Sequence, residues 1–262
     1  MVKNEITYGV INMLLQQNVM SEENINIRYS EMDFDKSLKP FSLLNFFQDI
    51  ASDNAERLGF GYSAITPKNL MWVLLKYRIE FEEYPVDMYN LRLQTNPRGY
   101  NKMFAFRNFK LWNGDKLLAR ASSMWSLVDF TNMSIANIAN SIDSPYFGKY
   151  EKSEEDLQYE KIPALEKADF EKEFEVRYND IDVNRHANNG NYIVWALEPL
   201  PFDFKSQHKL KTIDMVYKKE IKFGEKLTTK VQILEDKSTV HVLSNSQTGD
   251  DVCLVHCQWY QS

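Results

Sequence analysis

Between Arg177 and Trp195 the chain reads RYNDIDVNRHANNGNYIVW. Asp180, Asp182, Asn184 and His186 fall within seven residues, and an aromatic, apolar run follows directly. Carboxylate, amide and imidazole together make a proton-transfer set: an ionisable acid or base, a hydrogen-bond donor, and a ring that titrates near neutrality. In an extended segment alternate residues point the same way, so Asp182, Asn184 and His186 are expected to face one spot. A helix starting just after them adds free backbone N–H groups suited to a developing oxyanion. The plainer reading is a turn, since Asp and Asn ahead of a helix commonly cap it. That reading is preferred for Asn188 and Asn189.

Such a set needs elements to hold it, and the chain supplies them twice. Placing Arg28 over Arg177 lays RYSEMDFDKS on RYNDIDVNRH, an offset of 149 residues (177 minus 28). Asp33 then falls on Asp182, while Asp35 and Ser37 stand where the second copy has Asn184 and His186. A helical stretch follows in each copy. In the first, Leu43, Leu44, Phe47, Ile50, Ala51, Asn54 and Leu58 fall near helical spacing, with Ser42 expected as N-cap. In the second, NNGNYIVWALEPLP carries the apolar stripe and Pro199 stops it. Strands come next: 71–81, 88–95, 102–112 and 116–130 in copy one, and 212–223, 226–234, 238–244 and 251–260 in copy two. Asn113-Gly114 marks one hairpin. A helix followed by a meander of antiparallel strands is an α+β unit, and two units can pair their sheets. The charged stretch 149–172 lacks apolar periodicity and reads as a linker over the surface. The expected organisation is an N-terminal extension over 1–24, a first domain over 25–148, the linker, and a second domain over 173–262.

Composition narrows the function classes. The 262 residues are 44% hydrophobic, with 16 Phe, 14 Tyr and 5 Trp, enough for a packed core. A net charge of −6 argues against nucleic acid as main partner. No stretch approaches the ~20 apolar residues of a membrane span. Glu5 and Gln16-Gln17 break a signal-peptide pattern, so stable membrane insertion is not expected and a cytoplasmic location is. Met20-Ser21-Glu22-Glu23 would itself make a plausible chain start. Cys253 and Cys257, four residues apart on a strand, lie ~13 Å apart, too far for a disulfide. His256 between them faces away from both thiols, which argues against a metal site; buried, inert thiols are expected. No cofactor or metal is called for, and a homodimer is left open.

The run DVNRHANNGNYIVWALEPLP resembles the acyl-carrier-protein thioesterases of plants and bacteria, whose signature is Asp-x-Asn-x-His, then Asn-Asn, Tyr and Trp on a helix, and Leu-Glu-x-x-Pro. Here these are Asp182, Asn184, His186, Asn188-Asn189, Tyr192, Trp195, Leu197-Glu198 and Pro201. LGFGYSAI, MWVLLKYRIEFEEYP and RASSMW add matches in the first half, and the resemblance runs from about residue 25 to the C-terminus. It implies a tandem (double) hotdog fold, two antiparallel sheets each wrapped on a long helix. It implies hydrolysis of fatty acyl thioesters on acyl carrier protein, releasing free fatty acid and ending chain elongation. Asp182, Asn184 and His186 match catalytic positions. The family's catalytic Glu lies in a Tyr-basic-basic-Glu run about 34 residues after the His, and Tyr217-Lys218-Lys219-Glu220 fits. Taken alone, Glu220 reads as a solvated strand residue. Plant members have a Cys after that Glu; here Ile221 follows, which excludes a cysteine nucleophile at that position.

By the same resemblance the first copy, lacking the Asn and His, holds the acyl chain. Phe46, Phe47, Ile50, Trp72 and Trp125 are candidate walls, although large aromatics at such spacing are usually plain core. Lys218, Lys219, Lys222 and Arg185 are candidates for docking an acidic carrier protein. The rival readings are an acyl-CoA thioesterase of the same fold, a non-catalytic acyl-binding module, and a dehydratase on 3-hydroxyacyl thioesters.

Overall fold

The computed structural model describes residues 19–183 and 185–261. Its strands are β1 (Ser21–Asn26), β2 (Leu70–Phe81), β3 (Asn90–Tyr100), β4 (Phe104–Asn113), β5 (Lys116–Asp129), β6 (Ser134–Ile135), β7 (Phe170–Glu175), β8 (His208–Tyr217), β9 (Lys226–Ile233), β10 (Thr239–Asn245) and β11 (Asp251–Gln261). They form one antiparallel sheet in the order β1-β3-β4-β5-β2-β8-β11-β10-β9-β7, with β6 beside β5. The order is a palindrome of two five-strand halves, β1-β3-β4-β5-β2 and β7-β9-β10-β11-β8 running in from the two ends. The halves meet where β2 pairs with β8, in a register that sets Ile79 opposite Ile213 and Arg78 opposite Asp214. The two expected sheets are therefore one, and neither innermost strand is left as an open edge.

Helix α1 (Pro40–Arg57) lies on the first half. Leu43, Phe47, Ile50 and Asn54 are buried toward the sheet, and the Phe47 ring stacks on Phe109 at 4.6 Å between centroids. Ser42 is not its cap. Pro40 takes the first helical position, where its missing N–H costs nothing, and Ser42 is buried in the first turn. The second half has a much shorter helix than expected. Helix α2 (Asn191–Leu197) runs seven residues, and α3 (Phe202–Gln207) follows Pro201 and leads into β8.

The chain joins the sheet ahead of the boundary expected at residue 25, because β1 already pairs with β3 from Ser21. Of the expected extension, residues 1–18 lie outside the described residues. The stretch expected as a surface linker is tied to the first half. The Asp156 carboxylate accepts hydrogen bonds from Arg98 at 2.9 Å, Asn108 at 2.7 Å and the Ser153 N–H at 2.8 Å, and the Leu157 N–H donates to Ser122 at 3.0 Å.

Helix α2 is anchored from below by a buried polar chain. Trp259 Nε1 donates to Thr239 Oγ1 at 2.9 Å, and the Thr239 hydroxyl meets His241 Nε2 at 2.8 Å. His241 Nδ1 meets the Ala196 carbonyl at 2.7 Å. The carbonyl can only accept, so Nδ1 carries the proton and the neutral ring fits both neighbours. Burial holds this imidazole down to about 4. The folded state therefore refuses a proton that the unfolded chain takes up below about pH 6.5, and this contribution to stability is lost as pH falls toward 4. In urea unfolding, His241→Gln is expected to narrow its stability gap to wild type by about 2 kcal/mol between about pH 7 and about pH 5. A gap that does not change with pH would rule out a neutral buried ring.

Candidate active site

The segment carrying the polar set is a tight loop rather than an extended run. Tyr178–Asp180 form a 3-10 turn, and the buried Asp180 carboxylate accepts from the Arg177 N–H at 2.8 Å and its guanidinium at 2.9 Å. An antiparallel bridge pairs Ile181 with Ala187. Inside it the Asp182 N–H donates to the His186 carbonyl at 2.8 Å, and the Arg185 N–H donates to the Asp182 carbonyl at 3.0 Å. Arg185 takes a left-handed backbone at φ 66°, which closes the turn. The argument from alternate residues thus fails, since a chain that doubles back has no common strand face. Asp182 and His186 come together by another route, at the neck of the turn, where the His186 N–H donates to Asp182 Oδ1 at 3.3 Å. Asn184 lies outside the described residues.

Glu220 reaches the same place from the second half's sheet. β8 ends at Tyr217, short of the expected 223, so Glu220 sits in the loop beyond it. Ile221, fully buried, and the Lys218 N–H bonded to the Val252 carbonyl at 2.9 Å pin that loop. Glu220 Oε1 then lies 3.3 Å from His186 Nδ1; the His186 side chain is 33% exposed and the Glu220 side chain, at 40%, is open to solvent on one side. Asp182, His186 and Glu220 are therefore contiguous.

The cluster sits where two cavities meet. The larger has a volume of about 1050 Å³ and runs under α1, walled by Leu44, Ala51, Ala55, Trp72, Trp125 and Phe147. The smaller, about 120 Å³, reaches toward Lys218 and Glu220. Both are lined by Asp182, His186, Asn189, Trp72 and Tyr217. Of the expected walls, Trp72 and Trp125 line the chamber and Phe46, Phe47 and Ile50 do not. Phe47 and Ile50 lie on the α1 face turned to the sheet, and Phe46 packs at the edge of the same core. The chamber takes the neighbouring stripe, one residue further along at Leu44 and Ala51.

The helix N-terminus is less open than expected. The Gly190 N–H donates to Asn188 Oδ1 at 2.7 Å, and the Asn191 N–H to the Asn188 carbonyl at 2.9 Å. Asn188 thus forms the turn that leads into the helix. Asn189 holds its carbonyl against Tyr217 Oη at 3.1 Å and faces both cavities, a role its sequence context did not separate from capping. Cys253 and Cys257 are fully buried, and burial pushes both thiols up, so neither supplies a thiolate.

The first copy repeats the backbone without the chemistry. Met32 bridges Leu38 as Ile181 bridges Ala187, and Lys36 has φ 64° where Arg185 has 66°. There Lys209 pairs with Asp35, and Ser37, in the place of His186, is buried.

Comparison with known proteins bears on this arrangement. The acyl-ACP thioesterase N-terminal domain matches residues 18–146 and the acyl-ACP thioesterase C-terminal domain matches residues 163–261. The chain belongs to the acyl-ACP thioesterase family. An acyl-[acyl-carrier-protein] hydrolase of Cuphea viscosissima is 24% identical, over 95% of this chain and 65% of its own length. A palmitoyl-acyl carrier protein thioesterase of Arabidopsis thaliana is 28% identical, over 80% of this chain and 54% of its own. The chain thus spans between about half and two-thirds of the length of these curated relatives. A crystal structure described as an oleoyl thioesterase from Lactobacillus plantarum superposes with TM-score 0.83 at 26% identity, covering 92% of this chain and 96% of that one. A 12:0-ACP thioesterase from Umbellularia californica shares the fold, with TM-score 0.80 at 19% identity over 93% of this chain and 98% of that one. In this family member both halves of the tandem hotdog are present, and the polar cluster belongs to the second.

Proposed function

We propose that this chain hydrolyses fatty acyl thioesters carried on acyl carrier protein and releases the free fatty acid. The observation that carries the reading is the convergence of Asp182, His186 and Glu220, from two separate segments, at the mouth of a largely apolar chamber of about 1050 Å³. The chamber suits an acyl tail, and the cluster suits the carbonyl at its head. A thioester is already activated, so the work left is to place water, take its proton and support charge on oxygen.

In the proposed step, water held by Glu220 or Asp182 attacks the carbonyl carbon and gives that carboxylate its proton. The C–S bond breaks as the tetrahedral oxyanion collapses. His186, in contact with Glu220, returns a proton to the departing thiolate. The Asn189 and Asn184 amides are the proposed donors to the oxyanion. Residues of the first half, Trp72 and Trp125 among them, enclose the tail. The cytoplasm, or the compartment that holds the carrier protein, is the proposed site of action; no helix among the described residues is long and apolar enough to cross a membrane.

Docking of an acidic carrier falls to the basic residues beside this mouth. Lys218 and Lys219 are engaged by Asp251 at 2.9 Å and Asp250 at 2.8 Å. Arg185 and Lys222 are exposed, and among the described residues neither makes an ion pair. These two are the proposed docking charges.

Glu220→Gln and Asp182→Asn are each expected to lower the rate of thiol release from acyl-carrier-protein substrates by about 100-fold or more, with melting temperatures close to wild type. Near-normal rates in both would remove the assignment. Arg185→Glu with Lys222→Glu is expected to raise KM for the carrier-bound substrate by about tenfold, less so at high salt, with little change in kcat. An unchanged KM, or equal rates on the CoA thioester of the same chain, would point away from a carrier-protein substrate.

A further inference from the structure

The chamber wall under α1 is not wholly apolar. Arg107 on β4 lines it and is only 6% exposed. Its hydrogen bonds to Asn54 Oδ1 at 2.9 Å and Thr95 Oγ1 at 3.0 Å both leave from Nη1. Among the described residues no carboxylate lies in ion-pair range of it, and burial lowers its guanidinium to about 10. Tyr77 on β2 lines the same chamber, is 2% exposed, and its hydroxyl has no hydrogen-bond partner among the described residues. Buried charges are normally paired, and buried hydroxyls normally bonded, because each otherwise loses its hydration without replacement. Two such groups on one wall of a chamber meant for hydrocarbon are a poor match to an unsubstituted alkyl chain. Packing alone would be served by Met and Phe at these positions.

Resting on the thioester-hydrolase reading, we infer that the chamber takes an acyl chain bearing an oxygen substituent, a hydroxyl or keto group, that accepts hydrogen bonds from Arg107 and Tyr77. Helix α1 sets where on the chain that oxygen lies. Asn45 stands beside the start of α2, four residues past His186, since a methyl added to Gly190 would meet Asn45 Oδ1 at 3.1 Å. Asn54, nine residues further along α1, holds Arg107. At 1.5 Å per residue the two are about 14 Å apart. The oxygen therefore belongs in the distal half of a long chain, not beside the carbonyl. A 3-hydroxyacyl group would put its hydroxyl at the wrong end of the chamber.

The test compares thiol release by the full chain from acyl carrier protein loaded with three groups of equal length. One is saturated, one has a hydroxyl in its distal half, and one is the 3-hydroxy isomer. The distal hydroxyl is expected to raise kcat/KM by about tenfold over the saturated chain, with no such gain for the 3-hydroxy isomer. Tyr77→Phe keeps the ring and its packing and is expected to bring that ratio close to one while saturated chains are still hydrolysed. Arg107→Met is expected to do the same where it folds. A wild type that prefers the saturated chain, or a preference that survives in Tyr77→Phe, overturns the inference and leaves the hydrolase reading standing. Failure to hydrolyse any of the three sinks the hydrolase reading instead. Binding of the free distal-hydroxy and saturated fatty acids to wild type and Tyr77→Phe then decides: tighter binding of the hydroxy acid, lost in the variant, supports the chamber's chemistry, and equal or weaker binding rejects it.

Discussion

Everything in this molecule depends on the pairing of β2 with β8. That single ladder, from Lys76 opposite Val216 to Glu80 opposite Thr212, turns two half-sheets into one. It is reinforced across the seam by Arg78, whose Nη1 lies 2.6 Å from Asp214 Oδ2 with both side chains largely buried. The site is a product of the seam. The start of β2 contributes Met71 and Trp72, while the end of β8 contributes Tyr217 and the loop with Glu220. Neither half by itself has both a chamber under a long helix and an imidazole at its mouth.

The duplicated fold then divides its labour. Both copies keep the same turn, down to the bridge and the left-handed residue that closes it, because that backbone delivers the chain into the helix. In the first copy the turn's carboxylates serve packing. Asp35 is taken by Lys209, and Asp33, partly desolvated and beside Asp35, is pushed up to about 6. In the second copy Asp182 and His186 open onto cavities. The long α1 covers the chamber, and the short α2, held from below by His241, presents the cluster.

Much of this is legible in the chain, for identifiable reasons. The repeat is visible because each turn places a carboxylate to accept the N–H three residues before it, Glu31 from Arg28 and Asp180 from Arg177. The eight meander strands are visible because each faces a core on one side, whereas β1, β6 and β7, the last starting inside the expected linker, bury too few residues to leave a pattern. Spatial convergence is not visible. The extended reading of Asp182 to His186 misses the turn, since a left-handed Arg185 leaves no mark in composition. Glu220 looks like a strand residue because Ile221 and Phe223 continue an alternation that the backbone abandons at Tyr217. The charged stretch after residue 149 hides its anchors, since Asp156 and Leu157 act through hydrogen bonds and not through a periodic apolar face. The chamber walls are displaced by one position around α1, because periodicity names a helix's apolar stripe without saying which part of it meets a sheet and which a cavity.

The account stands on Glu220 and His186 working as one unit across the loop after β8. A double-mutant cycle on kcat/KM reads that coupling directly, using His186→Ala, Glu220→Gln and the pair together. The account predicts that the double variant is within about threefold of the slower single variant, because removing either partner already disables the unit. Losses that multiply, as for two residues acting independently, would contradict it.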